Sequence, residues 1–221
     1  MNTFNMIKDD EKIIKHYNEI SIFEDLDEGC AHHDFQHVFN VSILVEKLLE
    51  DLKYDKDFIE EAKIAAILHD TGCLQGKDGH ALRSYEYAKD YLEEKNIHLK
   101  NYDLVLEAIK IHSDGFDTNN IIALTLILSD KLDIKHTRVA KAGYNMVGMR
   151  QFLYIQDILV EIKNNILKVN FICDNAINKK ELEEYYFIPK VFKAIKAFSN
   201  KLELDSIVLF NNEKWEAFEN I

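Results

Sequence analysis

Seven glycines and one proline are all that punctuate 221 residues, and a chain so short of helix breakers is committed to long helices joined by short turns. Residues 9 to 20 read as a first helix, followed by an acidic turn from Asp25 to Gly29. Beyond Val38 the positions Val41, Leu44, Val45, Leu48, Leu49 and Leu52 recur at helical spacing. His37 lies one turn before Val41 on the same face and therefore points inward. Phe58, Ala62, Ala65 and Ala66 mark the next helix, which carries His69-Asp70 at its end and is expected to stop at Thr71-Gly72, with Gly72 as a left-handed cap. A third helix runs from about His80 to Lys95 and a fourth from Tyr102 to His112. A fifth, from Thr118 to His136, is apolar nearly all round between Ile121 and Leu128, which marks it as the central helix.

After residue 150 the texture changes. Asp157 to Glu161 and Ile166 to Cys173 alternate and are rich in β-branched residues, with Asn164-Asn165 between them as a hairpin turn. Residues 180 to 201 read as helical, interrupted before Pro189, and Ser206 to Phe210 reads as a further strand. The expectation is a mainly α protein: a helical domain over residues 1–150 with a small α+β extension over 151–221 packed on it.

Charge narrows the partners. With 39 acidic against 27 basic residues the formal charge is −12, which argues against binding a nucleic-acid polymer or an anionic membrane surface. Three cysteines, odd in number and unpaired in spacing, predict no disulfide framework. The start lacks a basic region followed by an apolar block, and the longest strongly apolar run, Ile121 to Leu128, is too short to span a bilayer. A cytoplasmic protein is expected, with a homodimer left open.

His37, His69, Asp70, His80, His112 and Asp130 carry the chemistry. Each sits in or beside a segment that the apolar spacing buries, and burying such groups unpaired costs roughly several kcal/mol each, whereas a metal satisfies several at once. Adjacent helical residues point about 100° apart, so His69 and Asp70 cannot both aim at one ion from mid-helix. At a helix end, with Asp70 lying between two ions, the geometry works. One ion then takes His37, His69, Asp70 and Asp130; a second takes Asp70, His80 and His112. Mixed nitrogen and oxygen donors suit Fe, Mn, Zn or Co.

Five segments together resemble the HD-domain superfamily of metal-dependent phosphohydrolases: His33-Asp34-Phe35-Gln36-His37-Val38, Ala66-Ile67-Leu68-His69-Asp70-Thr71-Gly72, Gly79-His80 with Ser84, Ala108-Ile109-Lys110-Ile111-His112, and Ser129-Asp130-Lys131-Leu132-Asp133. The likeness covers about residues 30 to 140. It implies an HD-type helical bundle around the metals, with a bound water or hydroxide attacking phosphorus and Asp70 at the catalytic centre. Lys77, Lys131 and Arg138 are the candidates to hold phosphate, and Asp133 is placed to orient a ligand or a lysine. The implied substrate is a small phosphorylated molecule, a nucleotide or a relative. Many members carry Arg where Asn40 stands, and a Lys or Arg near the position of Cys73. The Gly-Tyr-Pro signature of cyclic-dinucleotide hydrolases is missing, since the one proline is Pro189.

Blander roles are expected elsewhere. His16, His32, His98 and His136 read as surface or capping residues, Asp34 as a helix cap, and Cys73 as packing. Two rival functions fit the same residues: a non-catalytic protein that binds metal or nucleotide, and a di-iron oxygenase.

Overall fold

The computed structural model describes residues 2–26 and 29–219. Among the described residues, seven helices build the first part: α1 (Thr3–Lys8), α2 (Glu11–Leu26), α3 (Phe35–Asp51), α4 (Lys56–Leu68), α5 (His80–Glu94), α6 (Tyr102–Ile111) and α7 (Ile121–Leu132). Their starts are chemically marked. Asp34, Asp55 and Asn120 accept from the backbone N–H three residues on, in His37 (2.9 Å), Phe58 (3.0 Å) and Ala123 (3.2 Å), so each satisfies a donor that the first helical turn leaves free.

Four expectations need correction. The helix placed at 9 to 20 continues to Leu26, so Asp25 is helical, while Asp27 and Glu28 of the expected turn lie outside the described residues. The short α1 precedes it. The fifth helix begins at Ile121 and ends at Leu132, with His136–Arg138 forming a separate 3-10 turn. Gly72 is not a left-handed cap: α4 ends at Leu68 and Gly72 lies inside a 3-10 turn, Thr71–Gln75. Its missing side chain serves close approach instead, because a Cβ there would sit 2.2 Å from the His80 carbonyl oxygen.

The C-terminal part carries a four-stranded sheet in the order β1-β2-β3-β4, formed by β1 (Ile155–Lys163), β2 (Ile166–Cys173), β3 (Asp205–Phe210) and β4 (Glu213–Lys214). Asn164 (φ 51°) and Asn165 (φ 63°) both adopt the left-handed conformation that a two-residue hairpin requires, joining β1 antiparallel to β2. β3 returns parallel to β2, with Val169 opposite Val208, after the chain crosses through α8 (Lys179–Glu184) and α9 (Ile188–Lys201). Pro189 sits in the first turn of α9, where its missing N–H costs nothing. A closing helix, α10 (Glu216–Glu219), and β4 are too short to leave a pattern in the sequence.

α7 explains its own composition. Ile122, Ala123 and Leu126 pack into a core with α1 to α6, while Leu124, Ile127, Leu128 and Leu132 pack into a second core with β1, β2, α9 and the buried Trp215. A helix wetted on neither side must be apolar nearly all round. The two cores therefore share one wall, and Asp130, on this same helix, is held between them and the ends of α3 to α6.

Candidate metal centre

Five helices bring the six sequence-selected ligands together at their ends. His37 comes from the first turn of α3, His69 caps α4, Asp70 follows it, His80 opens α5, His112 caps α6 and Asp130 lies in the last turn of α7. All six are buried.

The imidazoles are set alike. His37 Nδ1 donates to Asp133 Oδ2, His69 Nδ1 to the Ala66 carbonyl, His80 Nδ1 to the Lys77 carbonyl and His112 Nδ1 to the Ile109 carbonyl, each at 2.7 Å. Because each partner can only accept, each Nδ1 carries a hydrogen and each Nε2 faces inward, where it can ligate an ion once unprotonated. For His69, His80 and His112 the acceptor is the carbonyl three residues before the ring, so a helix or turn end aims the ring without help from another element.

The Nε2 atoms meet the carboxylates in two groups. His37 Nε2 lies 3.3 Å from both Asp70 Oδ2 and Asp130 Oδ1, and His69 Nε2 lies 3.3 Å from Asp70 Oδ2 and 3.7 Å from Asp130 Oδ1. On the other side of the same carboxylate, Asp70 Oδ1 is 3.4 Å from His80 Nε2 and 3.5 Å from His112 Nε2, and the two nitrogens are 2.9 Å apart. Ligands at about 2.0–2.2 Å from one ion stand roughly 3.0–3.5 Å from each other. Both groups can hold a divalent ion on this measure, with Asp70 giving one oxygen to each. Three of the atoms, His37 Nε2, His69 Nε2 and Asp70 Oδ2, are buried without a hydrogen-bond partner, and acceptor lone pairs facing one another repel unless a cation or proton lies between them.

The electrostatics agree. Burial and Arg138 push His37 down, yet the carboxylates of Asp130, Asp133 and Asp70 outweigh them and lift it to about 10. Burial lowers His69 as well, but Asp70 and Asp130 raise it above its ordinary value. Asp70 is held well below the usual carboxylate range against its burial, by His69 first and Lys77 next. In the second group, burial depresses His80 to about 4 and also lowers His112. One half of the cluster thus draws positive charge, which a divalent ion can supply by displacing the His37 proton, and the other offers neutral imidazoles.

Lys77, Lys131 and Arg138 share the wall of a cavity of about 300 Å³ that reaches Asp130. Lys131 Nζ hydrogen-bonds Asp130 Oδ2, and Arg138 is buried with its Nη1 unpartnered. Lys77 is exposed on the loop before α5. Asp133 orients His37, and Asn40 Nδ2 donates to its other oxygen at 3.3 Å. Cys73 is buried, and its thiol is pushed up by burial and by the Asp70 charge, consistent with packing. His16 does more than cap a surface: its Nε2 lies 2.7 Å from the Thr71 carbonyl, pinning the turn that follows Asp70.

Sequence reasoning missed one pair. His33 Nδ1 hydrogen-bonds Glu24, whose other oxygen accepts from the His33 backbone at 2.8 Å, and both line the cavity. Burial lifts Glu24 to about 7 and holds His33 well below its ordinary value. The available signal was that Glu24 continues the buried stripe of Ile13, Tyr17 and Ile20 on α2, where an apolar residue is due.

A helical bundle that gathers histidines and aspartates from five helix ends around one shared carboxylate defines a class of metal-centred domain. The family model described as HD domain matches residues 34–135 of this chain. Residues 34–135 thus carry an HD domain. No curated protein matches the sequence. Among the described residues, no helix is long and apolar enough to cross a membrane.

Proposed function

We propose that the protein is a metal-dependent phosphohydrolase that cleaves a phosphate ester of a nucleotide or related small molecule. The observation that carries this reading is the pair of ligand groups sharing Asp70, with their ligating atoms turned inward beside a cavity lined by Lys77, Lys131 and Arg138. His37, His69, Asp70 and Asp130 would hold one ion and Asp70, His80 and His112 a second, of Fe, Mn, Zn or Co type. When bound, such ions supply an acidified water as nucleophile and neutralise phosphoryl oxygens during an in-line displacement.

The chain's own groups do the rest. Lys77, Lys131 and Arg138 bind the phosphoryl oxygens, which an otherwise acidic protein would repel. Asp133 holds the His37 ring in the tautomer that faces inward. The His33–Glu24 pair shares one proton between a depressed imidazole and a carboxyl near neutrality, so it is the wall group able to pass a proton to the departing oxygen.

The test is phosphate release from a panel of nucleotides and simple phosphate esters with Mn added. Turnover by the wild type, lost by at least about 100-fold in Asp70→Ala, supports the reading. Bound metal with no phosphate release, and iron-dependent oxygen uptake in its place, would overturn it.

A further inference from the structure

The cavity beside the ligand cluster is lined by side chains of two unlike kinds. Some are the cations. Others are Met146, Met149, Phe152, Tyr185, Tyr186 and Phe187, with no charged side chain among them. All six come from beyond the segment that matches the HD family, from the 3-10 stretch before β1 and from the turn between α8 and α9.

This aromatic lining is a constructed surface. Phe152 packs against Tyr185 at a ring separation of 5.6 Å and against Phe187 at 6.3 Å, and Tyr186 stands 4.7 Å from Tyr185. Gly148 (φ 84°) lets the stretch close onto Tyr185, since a Cβ there would lie 2.5 Å from the Tyr185 ring. Glu181 on α8 ties the two pieces together, accepting from the Gly148 backbone at 2.8 Å and from Arg150 Nε at 2.7 Å and Nη2 at 2.6 Å. Met149, Phe152 and Tyr185 are buried, whereas Met146 and Tyr186 are 39% and 62% exposed and form the mouth. Large apolar side chains left open beside a polar site have a binding use.

We infer that this wall recognises the alcohol half of the substrate, and that this half carries a single flat aromatic ring system. The inference rests on the phosphohydrolase reading for what the cations hold. Polarisable methionine and aromatic faces favour a flat π-system over a bare polyol. A volume of about 300 Å³ is at the lower limit of small-molecule sites, which suits a monophosphate ester with one ring system better than a dinucleotide.

The experiment uses the full-length, Mn-loaded protein and two non-hydrolysable probes, benzylphosphonate and methylphosphonate, with binding read by calorimetry. In parallel, KM and kcat are measured for 1-naphthyl phosphate and glycerol 2-phosphate. The wild type is expected to bind benzylphosphonate about tenfold or more tighter. Tyr186→Ala, at an exposed position that spares the fold, is expected to cut the naphthyl-over-glycerol preference in KM by about fivefold. Equal affinity for the two phosphonates, or a KM change in Tyr186→Ala that is the same for both esters, overturns the inference while leaving hydrolysis intact. Selective benzylphosphonate binding without turnover of any ester supports the wall and removes the hydrolase reading. Failure to bind either probe overturns the inference.

Discussion

Asp70 is where the site is decided, because its two oxygens face two different groups of imidazoles. Asp70→Ala is expected to remove most bound metal while leaving the helical circular dichroism signal near wild type; retained metal would contradict a bridging role. Asp133→Ala leaves the His37 Nδ1–H buried without its acceptor, and metal affinity should fall about 10- to 100-fold, as measured by competition with a chromophoric chelator. His37 also sets a pH dependence. Its pKa in the folded, metal-free protein is about 10 against an ordinary 6.5, so its contribution to stability is complete below 6.5 and is lost as pH rises towards 10. With chelator present, this contribution to the unfolding midpoint should decline across that window, and metal binding near pH 7 should release a proton detectable by calorimetry in buffers of different ionisation enthalpy. The six ligands were legible because each falls on the inward face or at the end of a strongly periodic helix. The His33–Glu24 pair was not, since it closes across a turn and no periodicity links residues 24 and 33.

Among the helices and strands, what the sequence made plain was whatever exceeds two turns or alternates over a full strand: α3 to α7, the β1–β2 hairpin, α9 and β3. Short elements escaped. α1, β4 and α10 span too few residues for a period to show, and the 3-10 turns between residues 136 and 154 follow no apolar rhythm. Gly72 was read as a helix stop because glycine most often serves there, whereas its place is a contact with the start of α5. Ser84 Oγ accepts from the Gly72 N–H at 2.8 Å in that contact. Gly72→Ala must therefore push α5 away and move His80 with it. The expected result is loss of one ion before the other, seen as a lowered metal stoichiometry in protein that still folds. β1, at the edge of the sheet, is guarded by carboxylates: Asp51 accepts from the Ile162 N–H at 3.0 Å and Asp157 from the Ile158 N–H at 2.9 Å. Such capped donors are closed to pairing with another strand.

At the scale of the molecule, two cores share α7, and the cavity lies where the elements around them meet. The bundle and the turn after α7 supply candidate ligands and cations; the C-terminal part supplies apolar lining to the same cavity. A net charge of −12 coexists with three cations drawn to one cavity, so attraction for an anionic substrate is local and should weaken little with added salt compared with a surface contact. The central claim is a two-ion centre bridged by Asp70. Elemental analysis of protein purified without chelator tests it most directly, made on the wild type and on His80→Ala together. About two ions per chain in the wild type and about one in the variant is the predicted result; full stoichiometry in His80→Ala, or no metal in the wild type, contradicts it.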